Sequence, residues 1–111
     1  MTSPYPSIIA DLPEADIPMA GVRGWLLQGS LRQAVFFELP AGAVVPDHAH
    51  GAQWGVVLQG EIDLTIAGAR RTYRKGDSYE IPAGAPHSAQ SASGALILDL
   101  FADPGRYRVK G

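Results

Sequence analysis

Polar and apolar residues alternate along much of this chain in short runs, and glycine or proline closes each run before a helical period can develop. From Gln53 to Gln59 one face carries Gln53, Gly55, Val57 and Gln59, and the other Trp54, Val56 and Leu58. Near the C-terminus Leu96, Leu98 and Leu100 alternate with Ile97, Asp99 and Phe101. Thirteen glycines and nine prolines, spread along the chain, supply the turns. The pattern predicts strands over 22–28, 31–39, 43–48, 52–59, 61–67, 70–74, 78–81, 86–91 and 95–102. Turns are expected at Gly29-Ser30, Gly60, Gly68, Gly76 and Gly94, where glycine adopts positive φ at little cost. No strong helix candidate survives this punctuation. Pro4, Pro6, Pro13 and Pro18 make residues 1–20 an irregular lead-in packed on a barrel of residues 21–111. The expected fold class is all-β, a single barrel or sandwich.

Parity also assigns directions. If Gln53 points inward, Gly55 follows it and leaves a gap that a substrate could occupy, while Trp54, Val56 and Leu58 face outward. Leu96, Leu98 and Leu100 then form a second outward row, with Asp99 an acid on a largely apolar inward face. The lead-in can cover one row but not both, so a homodimer is expected.

Composition narrows the function. A chain of 111 residues allows one modest core. A net charge of −2 with interspersed signs gives no footprint for nucleic acid or an anionic membrane. The one basic run, Arg70, Arg71, Arg74 and Lys75, reads as a solvated hairpin end. No apolar stretch reaches the length of a membrane span, and Pro4 and Pro6 interrupt any signal-peptide core, so a cytoplasmic location is expected. The absence of cysteine excludes disulfides, thiolate ligands and thiol nucleophiles.

All three histidines fall in two short segments. The first runs from Gly42 through His48, Ala49, His50 and Gln53 to Gly60; the second from Gly76 through Pro82 and Gly84 to His87. On an extended chain His48 and His50 point the same way, and Asp47 the other way, as a surface acid. A divalent metal wants three or four such ligands, and Gln53 and His87 can supply the remainder. Zinc, nickel, iron, manganese and copper all suit the donor set. As a ligand, Gln53 offers a neutral oxygen and leaves the ion's full charge, which favours anionic substrates and Lewis-acid chemistry over oxygenation; the alternative is that it only hydrogen-bonds a metal-bound water. Asp99 is the best acid–base candidate, since apolar burial raises a carboxyl pKa toward neutrality, with a core aspartate bonded to a backbone amide as the alternative. Arg106 could bind a substrate carboxylate bidentately, with Asp103 as its alternative surface partner. Phe101 is core or a substrate platform, and Tyr73, Tyr79 and Tyr107 are weaker candidates.

The two segments resemble the paired motifs of the cupin superfamily, G-x5-H-x-H-x3,4-E-x6-G and G-x5-P-x-G-x2-H-x3-N. The chain departs from them at Gln53, in the acidic ligand slot after a loop one residue shorter, and at Ser91, where asparagine is usual. The resemblance implies a double-stranded β-helix, or jelly-roll, barrel of the small single-domain RmlC-like kind. His48, His50, Gln53 and His87 followed by Asp-x-Phe and an arginine look more narrowly like the pectin-degradation cupins that promote ring opening of unsaturated uronates. That likeness implies ligands at those four positions, Asp99 and Phe101 lining the site, and Arg106 holding the sugar carboxylate. The leading expectation is a metal-dependent enzyme acting on a small anionic sugar or keto acid. A metal-dependent dioxygenase and a non-catalytic cupin that binds a small ligand are the alternatives.

Overall fold

Alternating side chains build eight strands among residues 3–111, the residues described by this computed structural model. Residues 1 and 2 of the expected lead-in lie outside them. One helical turn, α1 (Ser7–Ala10), precedes β1 (Arg23–Gln28), β2 (Gln33–Leu39), β3 (Ala43–His48) and β4 (Gln53–Ile66). These are followed by β5 (Ala69–Arg74), β6 (Ser78–Ile81), β7 (His87–Ser91) and β8 (Ala95–Phe101). Pairing runs β1-β2-β8-β4-β7-β3, all antiparallel, with β5 and β6 also on β4. The result is the expected all-β jelly roll.

The principal departure is at Gly60. Sequence pattern predicts a turn between two strands there, whereas β4 runs on through it for 14 residues. Its first half pairs β6 and β8, and its second half pairs β5 and β7, so this one strand passes from one sheet to the other. A register shift between Val57 and Gln59 and a positive φ of 78° at Gly60 make the bend. A side chain at Gly60 would overlap the Gly94 carbonyl oxygen, so only glycine lets the two backbones approach.

Parity holds along β2, β8 and the first half of β4, but β1 buries Gly24, Trp25 and Leu26 in succession, and Gln59, expected on the inward face, is exposed because the register shifts after Val57. Val57, Ile97 and Phe101 are buried inside the barrel with Val35, Ile62, Leu64 and Ile81. Trp54 and Leu100, register partners on the outer face, stay 43% and 42% exposed. The N-terminal segment packs toward the other end of that outer face, over Phe36, the register partner of Leu98, with Pro4 beside Leu96. The Tyr5 hydroxyl donates to the Phe37 carbonyl at 2.7 Å, and its ring meets Trp25 and Phe36 edge-on. Bridges from Glu14 to Trp25 and from Ala15 to Val109, and an ion pair of Arg23 with Glu14, complete the attachment. Arg70 and Arg74 pair with Asp63 and Glu61 across the β4–β5 hairpin. Among the described residues no helix is long and apolar enough to cross a membrane.

Candidate metal centre

Strand ends bring the three histidines together. His48 closes β3, His87 opens β7 directly opposite it in register, and His50 lies in the short loop before Gln53 opens β4. Ring centroids are 4.2 Å apart for His48 and His87, 4.8 Å for His50 and His87, and 5.2 Å for His48 and His50. One ligand atom from each lies within 4.8 Å of the others.

Each Nδ1 is tied to a backbone carbonyl: His48 to Pro46 at 2.9 Å, His50 to Gly51 at 2.8 Å and His87 to Ala85 at 2.9 Å. A carbonyl only accepts, so Nδ1 carries the hydrogen and Nε2 presents its lone pair. Burial lowers the pKa of His50 and of His87, which favours the neutral, ligating form. Nε2 of both rings and Oε1 of Gln53 are buried without any hydrogen-bond partner. Leaving three acceptors unpaired is costly unless something electropositive meets them. A divalent cation fits that donor set, with the backbone carbonyls orienting the rings from behind.

The remaining candidates converge on the same cavity. His48, His50, Gln53, His87, Asp99, Phe101 and Arg106 line a space of 70 Å³. Asp99 is buried, and burial pushes its carboxyl up to about 6, against hydrogen bonding from Tyr79 and Gln53. The Tyr79 hydroxyl donates to Asp99 Oδ1 at 2.6 Å; burial and that carboxylate raise the phenol's pKa, so it keeps its proton. The Phe101 ring packs 5.6 Å from His50. Arg106 lies over Phe101 and Tyr107, its guanidinium carbon 5.7 and 4.3 Å from the ring centres. The alternative partner, Asp103, instead accepts a hydrogen bond from the Gly105 amide at 2.8 Å. Among the described residues no carboxylate forms an ion pair with Arg106.

Gly55 corrects an expectation. The gap anticipated beside it is filled, because a Cβ there would overlap Asp99 Oδ1 and the Tyr79 ring and hydroxyl. Gly55 pairs with Tyr79 on one side and Asp99 on the other, and its missing side chain lets those two meet across it. The open cavity lies instead beside Phe101 and the histidines. Asp47 is exposed, consistent with its parity. Sequence reasoning underrated Tyr79, although Ile81 two residues on gave the inward parity. It missed Met19, whose place in the cavity wall depends on how the N-terminal segment folds back.

A jelly roll carrying three convergent histidines at its strand ends defines a class of barrel. The cupin domain profile matches residues 35–101, and the chain belongs to that family. It is similar to KdgF from Halomonas sp., with 26% identity and a TM-score of 0.72 over 78% of this chain and 83% of that one. An RmlC-like cupin from Shewanella frigidimarina matches at 24% identity and a TM-score of 0.78, over 95% and 94% of the two chains. A deletion mutant of Bacillus subtilis oxalate decarboxylase shares the fold at 24% identity and a TM-score of 0.75, over 87% of this chain and 29% of that larger one. No curated protein sequence matches the chain.

Proposed function

We propose that this cupin is a metal-dependent enzyme acting on a small carboxylate-bearing sugar or keto acid, and specifically one that opens or isomerises the ring of an unsaturated uronate. The observation that carries this reading is the convergence of partnerless Nε2 and Oε1 atoms on a cavity that also holds a buried acid and an arginine without a carboxylate. His48, His50, Gln53 and His87 would hold the ion. A divalent metal bound there supplies Lewis acidity toward a substrate oxygen. Arg106 binds the carboxylate, and Phe101 gives the ring an apolar wall that excludes water. Asp99, with a pKa of about 6, takes a hydroxyl proton and returns it as the ring opens, so no proton is gained or lost overall. Tyr79 steadies that carboxylate without competing for its proton. Likeness to KdgF supports the uronate version over other anionic sugars.

The test is to load the purified protein with zinc, nickel, manganese, iron or copper and supply a 4,5-unsaturated galacturonate. Loss of the substrate's conjugated ultraviolet absorbance without oxygen uptake is expected. Oxygen consumption would replace this reading with dioxygenase chemistry, and binding without turnover would replace it with a non-catalytic ligand-binding role. The uncovered pair of Trp54 and Leu100 supports a homodimer.

A further inference from the structure

Gln33, in β2, has none of its surface exposed, a position an amide tolerates only when its hydrogen-bonding groups are used. All of them are, and most go to one short segment. Nε2 has two hydrogens and donates them to the Tyr107 carbonyl at 2.9 Å and to Gln28 Oε1 at 2.9 Å, with the Pro104 carbonyl at 3.2 Å sharing one of them. Oε1 accepts the Tyr107 amide hydrogen at 3.0 Å. Gln28, its register partner across the β1–β2 hairpin, donates to the Pro104 carbonyl at 2.7 Å. These bonds grip the chain immediately before and after Arg106.

The gripped segment has no regular secondary structure. Its internal bonds, Arg106 N–H to the Asp103 carbonyl at 3.3 Å and the Gly105 amide to Asp103, do not tie it to the barrel. Gln33 also shares a rung with the site, since it pairs with Phe101, which in turn pairs with Gln53. The amide that holds the loop is thus braced by the strand that carries the cavity floor. Arg106 Nε is buried without a partner, so the guanidinium is held over Phe101 and Tyr107 by its backbone and these rings alone.

We propose that Gln33, assisted by Gln28, is a positioning residue for the substrate carboxylate: it fixes the 104–107 turn so that Arg106 is presented to the cavity, and thereby sets the preference for anionic ligands. The proposal rests on the role of Arg106 given above. A flexible turn would let the guanidinium swing into solvent, and the ordering lost from the protein would be taken from binding.

The experiment titrates D-galacturonate into zinc-loaded protein by calorimetry for the wild type, Gln33→Met, Gln28→Ala, Arg106→Gln and the double variant Gln33→Met with Arg106→Gln. Zinc affinity and amide hydrogen exchange at Tyr107 are measured alongside. Gln33→Met should keep zinc affinity, lose protection at Tyr107 and weaken galacturonate binding about tenfold. Gln28→Ala, an exposed change that leaves the core intact, should weaken it by about threefold. The double variant should bind no more weakly than Arg106→Gln alone, because both changes remove one interaction. Unchanged galacturonate affinity in Gln33→Met and Gln28→Ala, with Arg106→Gln impaired, overturns the proposal and leaves the anchor role intact. Additive losses in the double variant overturn it too. Should Gln33→Met fail to fold, Gln28→Ala decides alone. If Arg106→Gln itself binds normally, the anchor role fails and the Gln33 proposal fails with it.

Discussion

Gly55→Ala tests the packing beneath the candidate metal centre. Gly55 sits between Tyr79 and Asp99 on one sheet rung, and the hydrogen bond of 2.6 Å that joins those side chains passes over its Cα. An added methyl would coincide with Asp99 Oδ1 and with the ring and hydroxyl of Tyr79, all in a buried region. Since β4 and β8 are joined on that rung, the backbone cannot easily retreat. Overpacking of this kind costs about 1–3 kcal/mol, and separating a buried hydroxyl from a carboxylate costs about 1.5–3 kcal/mol. Relief of glycine's conformational entropy offsets about 0.5–1 kcal/mol, because Gly55 has no positive φ to protect. The balance is about 1.5–5.5 kcal/mol of destabilisation, which at its midpoint lowers Tm by more than about 10 °C for a chain of this size. Urea unfolding of the metal-free variant, with wild type alongside, measures it. A loss below about 1 kcal/mol would show that space beside Gly55 is open after all, and would restore the substrate pocket first expected there.

Other perturbations separate the roles of the site residues. His87→Ala should abolish tight zinc binding with circular dichroism unchanged, because the barrel core does not depend on an ion; a variant that unfolds would contradict this. Gln53→Glu should retain metal yet lower galacturonate affinity by about tenfold, since its carboxylate cancels one charge; equal affinity in calorimetry would argue that Gln53 does not ligate. Asp99→Asn should change how stability depends on pH in the metal-free protein. With Asp99 raised to about 6 when folded, the folded state keeps a proton that the unfolded chain loses near its ordinary pKa of about 4. Wild-type stability from this group is therefore full below about pH 4 and falls by about 3 kcal/mol as pH rises through about 6. The lowered pKa values of His50 and His87 act in the opposite sense on both proteins and cancel in the difference. A flat difference in urea stability between about pH 4 and 8 would place Asp99 in solvent. Sedimentation at micromolar concentration should give twice the 11.8 kDa of one chain, and a species of single mass would remove the dimer.

Much of the fold was legible because strand parity is a local property. The inward set of Val57, Ile97, Asp99 and Phe101 and the outward Trp54 and Leu100 follow from a period of two, and burial agrees at each. His48 and His50 could be placed together for the same reason. Gly60 was misread because a glycine with positive φ looks alike, in sequence, in a hairpin turn and in a strand that bends between sheets. Only pairing with β8 on one side and β5 on the other separates the two cases.

The sequence by itself determined the strand-rich architecture, the donor types and the two segments that carry them, since alternation, turn chemistry and spacing depend on neighbours a few residues apart. Tertiary structure decided which distant groups meet. The meeting of Tyr79 with Asp99 across Gly55 depends on the registers of β6, β4 and β8, and the grip of Gln33 on residues 104–107 spans more than seventy positions. Such contacts depend on which strands the closed barrel sets side by side, and no local pattern of side chains encodes that adjacency.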